Sequence, residues 1–284
     1  MNNENNLLKN TFYRSLESGT SGAIAMSINI VSLMWMRTTI NYQYRYGVNM
    51  KTAFSTLYKN GGVPRFYKGF IPALLQGPLS RFGDTATNTG TIAILNSYEK
   101  TVNLPIAIKS FFASINAALF RIVLMPIDTL KTTMQVQGSE GISNLKYKLR
   151  NKGPSVLYYG SMASSSATLV GHYPWFATFN TLQEKIPQSD TNIGKMGRNA
   201  FIGFISTCIS DTLSNSIRVI KVYKQSSVKS ISYQESVSQI LKEDGIFSLL
   251  GRGLKTKLLA NGLQGIMFSV LWKYIDENFF NNKK

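Results

Sequence analysis

The stretch "LMPIDTLK", residues 124–131, closes a strongly apolar run of the sequence. Pro126 has no backbone N–H to donate, so a helix that reaches it kinks or ends there. Asp128 and Lys131 follow at a spacing of three, at which side chains on one helix face can meet. This combination indicates a charged site at the end of an apolar helix, turned inward by the kink.

The composition excludes several classes of protein. The 284-residue chain carries a net charge of +17, which favours contact with nucleic acid or anionic lipid. With one cysteine and one histidine, a disulfide framework and a zinc cluster are both excluded. No phosphate-binding loop, Ser-His-Asp grouping or HExxH motif is present. We therefore expect no enzyme, no cofactor and no metal.

Six apolar segments are candidates for membrane-spanning helices. Two of them approach the roughly 20 apolar residues that a span needs, and the others are shorter or weaker. Arg81, Asp84 and His172 interrupt the two weakest segments, and ionisable groups at that depth usually face a polar interior. The alternative is a soluble all-α protein with buried helices. The segments are residues 21–36, 71–95, 106–130, 161–182, 199–213 and 258–275.

The stretch around Pro126 recurs twice elsewhere in the chain. "PIDTLKTTMQ" (126–135) corresponds to "SLMWMRTTIN" (32–41) and to "SIRVIKVYKQ" (216–225). Each copy closes an apolar helix, and each is followed by a short amphipathic pattern and a glycine that opens the next helix. This spacing predicts three internal repeats, at about residues 12–100, 105–187 and 195–280.

The paired elements resemble the mitochondrial carrier family, whose signature is Pro-x-Asp/Glu-x-x-Lys/Arg followed by an aromatic-Lys/Arg-Gly element. The resemblance covers nearly the whole chain and implies one carrier domain over residues 1–284. It implies an all-α membrane protein with six transmembrane helices in three pseudo-symmetric repeats, joined by short matrix helices. It further implies a multi-pass protein of the mitochondrial inner membrane, with a water-filled cavity between two charged gates.

The matrix gate of this chain departs from the family pattern, in which three ion pairs close a ring. Only the second repeat is complete, because Met34 and Arg218 stand at the other two acidic positions. Four basic residues and one acid give the ring a charge of +3, whereas a complete ring sums to zero. We expect one family-type pair, Asp128 with Lys221, and a ring that does not close by the usual means. The predicted gate residues are Pro126, Asp128, Lys131, Arg37, Arg218, Lys221, Gln135 and Gln225, with Asn41 in the first repeat.

The opposite gate and the cavity are altered as well. At the far gate only Lys273 and Asp276 keep charges, in reversed order. The main substrate-contact positions of the family are uncharged here, so a nucleotide or a multiply charged carboxylate is not expected. Arg121 and Asp211 occupy equivalent places, and we expect them to pair across the barrel. His172 could instead be a satisfied polar group between helices. The cavity candidates are Gln76, Arg81, Asp84, Arg121, His172, Asp211 and Asn261.

By resemblance, cardiolipin is expected as a bound lipid near the aromatic-basic-Gly elements. The positions are Tyr67, Lys68, Gly69, Gly160, Arg252 and Gly253, although "LYYG" before Ser161 lacks the basic residue. Helix N-termini suit phosphate groups.

Two functions remain open. One is a transport-impaired, structural or accessory subunit of a large inner-membrane complex, such as a respiratory complex. The other is an active transporter of a neutral or weakly charged solute. Nucleic-acid binding rests on net charge alone and is not expected.

Overall fold

The structure is a computed structural model that describes residues 27–275, except the side chains of residues 81, 85, 88, 89, 93, 107, 192, 193 and 268–275. The described chain is helical throughout and contains no strand, which confirms the all-α prediction. A 3-10 turn spans Pro154–Tyr158. The helices are α1 (residues 27–46), α2 (Met50–Lys59), α3 (Gly62–Phe66), α4 (Phe70–Ser97), α5 (Glu99–Val102), α6 (Ile106–Val123), α7 (Met125–Gln137), α8 (Glu140–Lys152), α9 (Ser161–Lys185), α10 (Asn192–Ser226), α11 (Tyr233–Gly251) and α12 (Leu254–Ile275).

Pro126 marks the boundary between α6 and α7. The two helices meet at Leu124 and are bent by 64° relative to each other. Pro126 lies in the first turn of α7, where its missing N–H costs no helical hydrogen bond. Ser216 stands at the corresponding place of α10, which runs unbroken from Asn192 to Ser226. The predicted kink is confirmed, and it is specific to the repeat that carries the proline.

The helices differ in length and apolar content. Within residues 27–275, no single helix combines the length and the apolar content needed to cross a membrane. The bent pair of Ile108–Val123 and Met125–Gln137 meets both criteria when its two parts are taken together.

The long helices contact one another in a closed ring. Helix α4 packs against α6 and α7, α6 against α9, α9 against α10, and α10 against α12. On the first side of the ring, Met34 of α1 packs against Ala73 of α4. Arg37 of α1 closes the last side, where its guanidinium donates to Gln264 of α12 at 2.9 Å. Residues that face the inside of this ring are therefore candidates for a common site.

Three glycines hold the seams between neighbouring parts of the ring. Gly69, Gly160 and Gly253 all have positive φ, at 83°, 86° and 65°, which favours glycine over any residue with a Cβ. A Cβ on Gly69 would lie 3.0 Å from the Lys131 carbonyl oxygen of α7. One on Gly160 would lie 3.2 Å from the Lys221 side chain of α10, and one on Gly253 2.9 Å from the Tyr44 ring of α1. The same close approach thus occurs three times.

Three buried cations cap the ends of α1, α7 and α10. Arg65 donates to the carbonyl oxygens of Gln135 and Val136 in the last turn of α7, at 2.9 and 2.7 Å. Lys148 of α8 donates to the carbonyl oxygen of Ser227, just beyond α10. Each cation meets carbonyl groups that a helix end leaves without helical partners. Burial, together with the nearby charge of Arg45, lowers the pKa of Lys148 to about 8.

The third cap belongs to Arg252. Its guanidinium lies 3.4 Å from the carbonyl oxygens of both Tyr44 and Arg45 at the end of α1. Asp244 binds the same guanidinium at 2.5 Å. Each cap therefore joins one third of the chain to the helix end of another, although the three cations do not occupy equivalent sequence positions.

Candidate functional site

Asp128 is the centre of the gate cluster. The residue is 3 % exposed and its two carboxylate oxygens each accept from one lysine. Lys221 of α10 lies 2.6 Å from Oδ2, and Lys131 lies 2.9 Å from Oδ1. The expected pair between Asp128 and Lys221 is present, and Lys131, for which no acid was expected on its partner helix, binds the same carboxylate. Two cations on one anion leave the cluster with a charge of +1.

Amide side chains complete the bonding of this cluster. Gln76 of α4 donates to Asp128 Oδ1 at 2.9 Å and accepts from Lys131 Nζ at 2.5 Å. Gln225 donates to Asp128 Oδ2 at 3.2 Å. Asn41 of α1 donates to Gln135 of α7 at 2.5 Å. Uncharged amides thus join α1, α4, α7 and α10 at a level where the family uses further ion pairs.

Gln76 therefore has a different place from the one predicted. The sequence placed it among the cavity candidates, but its amide belongs to the gate cluster. The chemistry is suited to that place, because a primary amide can donate to a carboxylate and accept from an ammonium at once. The Asp128 cluster thus joins one carboxylate to two lysines and to the neutral amides of Gln76 and Gln225.

Apart from Lys221, the charged side chains of α10 and α12 form a second cluster around Asp211. Asp211, 5 % exposed on α10, binds Lys257 of α12 at 2.8 Å and accepts from the Asn261 amide. Arg218 approaches the same carboxylate only to 3.6 Å and donates through Nε to Ser214. Lys257 was not among the predicted site residues. The signal available was its position, one helical turn before Asn261 on the same face of α12.

The predicted pair between Arg121 and Asp211 is wrong in this structure. Arg121 of α6 binds Asp84 of α4, with Nη2 at 3.1 and 2.8 Å from the two carboxylate oxygens. It also donates to Ser80. Asp211 in turn is occupied by Lys257 and Asn261. Equivalent positions in the sequence pattern did not imply contact. Arg121 instead binds a residue of α4, and Asp211 binds a residue of α12.

His172 contacts Ser114 across α6 and α9. Its Nδ1 lies 3.0 Å from the serine hydroxyl, and its ring meets Phe176 edge-on. This geometry agrees with the reading of His172 as a satisfied polar group between helices. The Arg81 side chain and Asp276 lie outside the described part of the chain, as does the side chain of Lys273.

The lipid-binding positions divide into two groups. Gly69 and Gly160 cap the N-termini of α4 and α9, as a headgroup site would require. Tyr67 donates its hydroxyl to the Val31 carbonyl at 3.1 Å. The side chain of Arg252 is 1 % exposed and is held by Asp244 and the end of α1, and lipid binding at this position stays a prediction.

A groove of about 810 Å³ opens beside the Gly160 position. Helices α9, α10 and α11 form its walls, and its lining is mainly apolar, with Met162, Ile220 and Leu241. Tyr233, Gln234 and Lys242 supply polar groups at the α11 side. A groove of this character suits acyl chains with a polar headgroup at one end.

Comparisons with known proteins identify the family. The family profile described as "Mitochondrial carrier protein" matches residues 103–190 and 194–283. A mitochondrial carrier-like protein of Acanthamoeba polyphaga mimivirus is 25 % identical over 166 residues. That match covers 58 % of this chain and 65 % of the relative's length. The family consists of transporters rather than enzymes. With two copies of the family profile across more than half of its length, the chain belongs to the mitochondrial carrier family.

Proposed function

We propose that this chain is a multi-pass protein of the mitochondrial inner membrane that has lost most of its transport cycle and serves as a structural or accessory subunit of a large membrane complex. The architecture proposed is six transmembrane helices in three pseudo-symmetric repeats. Three features support it: the closed ring of long helices, the three glycine seams, and the cation caps that join each third of the chain to another.

The observation that carries the accessory role is the presence of one acid in the matrix gate. Alternating access needs two closed states of nearly equal free energy. In the described gate, Asp128 is the one carboxylate, while Arg37 binds Gln264 and Arg218 turns toward Asp211. Hydrogen bonds from the side-chain amides of Gln76, Asn41 and Gln225, at 2.9, 2.5 and 3.2 Å, reinforce this face of the ring. Because the far gate offers few charges in return, one conformation is favoured strongly over the other.

Active transport of a neutral or weakly charged solute is the second candidate. The observation in its favour is that Asn261 and Ser114 supply neutral hydrogen-bonding groups on helices of the ring, apart from the Asp128 cluster. Such groups recognise a polar solute without binding it so tightly that release becomes slow. The two candidates differ in whether the gate must open.

We also propose that cardiolipin occupies the groove between α9, α10 and α11. The helix N-terminus after Gly160 and the capped N-terminus of α11 both lie at this region. Tyr233 supports this proximity, since its hydroxyl lies 3.5 Å from the Ala163 backbone nitrogen. Removing Lys242, as Lys242→Gln, should weaken cardiolipin binding measured by native mass spectrometry, whereas the exposed Lys255→Gln should not.

The main experiment cross-links α1 to α7 at the predicted gate and measures solute uptake before and after cross-linking. Asn41 and Gln135 contact each other across the gate, so Asn41→Cys with Gln135→Cys, in a Cys208→Ser background, can be bridged by a short bifunctional thiol reagent. The full chain is purified in mild detergent and reconstituted in liposomes with a broad panel of radiolabelled solutes. The two single-cysteine variants, treated with the same reagent, are the matched controls.

An accessory subunit should co-migrate with a large complex whether or not the gate is bridged. It should also show no saturable uptake before bridging. Saturable exchange of any solute by the unbridged protein, abolished on bridging, would establish transport and exclude the accessory proposal.

A further inference from the structure

A buried hydrogen bond between two uncharged side chains joins the end of α1 to α10. The hydroxyl of Tyr44 donates to Asn215 Oδ1 at 3.0 Å, and the two residues are 3 % and 0 % exposed. The amide nitrogen of Asn215 donates in turn to the carbonyl oxygens of Leu250 and Arg252, at 2.8 and 3.1 Å. Because both amide hydrogens are engaged at the end of α11, the amide oxygen is left to accept from Tyr44.

Three further contacts hold Tyr44 in place. Its carbonyl oxygen lies 3.4 Å from the Arg252 guanidinium, and a Cβ on Gly253 would lie 2.9 Å from its ring. The ring also packs in one core cluster with Ile40 of α1 and Val219 of α10. Tyr44 thus fills a pocket formed by α10 and by the connection between α11 and α12. The end of α1 cannot move away from α10 without withdrawing this side chain and breaking its hydrogen bond.

The bond is specific to one side of the ring. At the equivalent positions of the other two repeats, glycine, valine and methionine stand where the bond needs a hydroxyl and an amide: Gly138 and Val228 in place of Tyr44, and Met125 and Val31 in place of Asn215. This side of the ring is also the one at which Arg218 of α10 occupies the acidic position and would face Arg37 of α1. The neutral bond therefore occurs where the sequence cannot supply the ion pair.

We propose that the hydrogen bond between Tyr44 and Asn215 keeps the side of the ring between α1 and α10 closed, in place of an ion pair. A neutral pair suits this side, because it adds no charge beside two arginines and costs less desolvation than a buried ion pair. The inference goes beyond the proposed function and applies to both candidates. An accessory subunit keeps the bond intact, whereas a transporter breaks it in each cycle.

The reactivity of a buried thiol measures how often this side of the ring opens. Val219→Cys, in a Cys208→Ser background, places a thiol at a position of α10 that is 0 % exposed and lies in the core cluster of Tyr44. Ile202→Cys, in the same background, places a thiol at another 0 % exposed position, nearer the start of α10. The rate of reaction with N-ethylmaleimide is followed by intact-protein mass spectrometry of the full chain in mild detergent.

Tyr44→Phe is the main variant, because it removes the hydroxyl and keeps the ring. The loss of one buried hydrogen bond should raise the reaction rate of Val219→Cys about fivefold and leave that of Ile202→Cys unchanged. Tyr42→Phe is the matched control, since it removes a hydroxyl from the same helix at a ring that packs against Tyr46. This control should change neither rate.

Asn215→Ala removes the other partner of the bond. It should raise the reaction rate of Val219→Cys at least as much as Tyr44→Phe does. Adding Tyr44→Phe to Asn215→Ala should cause no further rise, because the two changes break the same bond.

A faster reaction of Val219→Cys alone, in Tyr44→Phe, would support the proposal. Acceleration of both thiols by the same factor would overturn it, because the bond would then stabilise the whole fold rather than this side of the ring. An unchanged rate at Val219→Cys would overturn it as well. Neither rate depends on solute uptake or on co-migration with a complex, so the outcome is separate from the test of the proposed function.

Discussion

The three glycine seams and the three predicted gate positions each correspond by sequence pattern, but only the seams are alike in the structure. Gly69, Gly160 and Gly253 share a positive φ and a close approach to α7, α10 and α1, respectively. At the gate, by contrast, Asp128 binds two lysines, while Arg37 binds an amide and Arg218 turns to another acid. A positive φ beside a tightly packed helix requires glycine, whereas a charged side chain can form hydrogen bonds or ion pairs with many different groups.

Removing the single gate acid should have the largest effect. Asp128→Asn leaves Lys131 and Lys221 facing each other without a counterion in a buried site. We expect the free energy of unfolding to fall by about 3–5 kcal/mol, measured by denaturant unfolding in detergent. Adding Lys221→Gln to this variant should recover part of the loss, because it removes one of the unpaired charges.

The unequal gate also predicts a small effect at its other positions. Arg37→Gln removes a half-buried bond to an amide and should cost about 1 kcal/mol. If Arg37→Gln and Asp128→Asn destabilise the protein equally, the gate is more evenly shared than the ion pairs indicate.

The glycine seams should each be costly to change. Gly69→Ala combines a strained φ of 83° with a Cβ placed 3.0 Å from the Lys131 carbonyl oxygen, a backbone atom that cannot rotate away. We expect a loss of about 2–4 kcal/mol in the free energy of unfolding. Gly160→Ala and Gly253→Ala share the strained φ, but they place the Cβ against side chains, which can shift, so we expect smaller losses of about 1–3 kcal/mol.

Two other glycines distinguish the effect of a strained φ from the effect of a close contact at the Cβ. Gly153 has a φ of 74° but open space around a Cβ, so Gly153→Ala should cost about 1 kcal/mol. Gly203 lies inside α10 with open space, and Gly203→Ala should be neutral or stabilise by up to about 1 kcal/mol. A Gly69→Ala variant no worse than Gly153→Ala would contradict the tight seam.

The helix caps lie between these two cases, since their role recurs but their chemistry differs. Among them, Lys148, with its pKa lowered to about 8 by burial and the nearby charge of Arg45, can lose its proton in the folded protein. The unfolded chain binds that proton more tightly. The contribution of Lys148 to stability therefore rises with pH from about 8 to about 10.4 and is constant below that window.

Over that pH window we expect a gain of about 2–3 kcal/mol in the free energy of unfolding of the parent protein relative to Lys148→Met. The measurement is a pH series of unfolding curves for both proteins in detergent. Parallel curves from pH 8 to 10 would show that Lys148 titrates normally. Lys152, an exposed lysine on the same helix, provides the control as Lys152→Met.

Local chemistry was readable from the sequence, and side-chain partners were not. Pro126 and the spacing of Asp128 and Lys131 predicted the kink and its charge pair, since both depend on residues within one helical turn. The contact between Asp128 and Lys221 followed from the family resemblance. Arg252, by contrast, carries a lipid-binding signature yet points inward, because Asp244 and the end of α1 meet it there.

The same limit explains the partner of Arg121. Equivalent positions in two repeats suggested Asp211, but contact depends on how α4 and α6 are rotated about their axes, which composition and spacing do not determine. Lys257 was missed for a similar reason, since its charge becomes significant only when α12 places it against Asp211.

The smallest expected effect is at the ion pair of Arg121 with Asp84, which lies outside the Asp128 cluster. Its pair with Asp84 is short, but the two side chains are 25 and 27 % exposed, so water screens their attraction. A double-mutant cycle with Arg121→Gln and Asp84→Asn should give a coupling free energy of about 1 kcal/mol. A second cycle with Arg121→Gln and Asp211→Asn should give a coupling near zero. A coupling between Arg121 and Asp211 that equals or exceeds the coupling between Arg121 and Asp84 would contradict this arrangement. It would show that the ring also adopts a conformation in which α6 and α10 lie closer together.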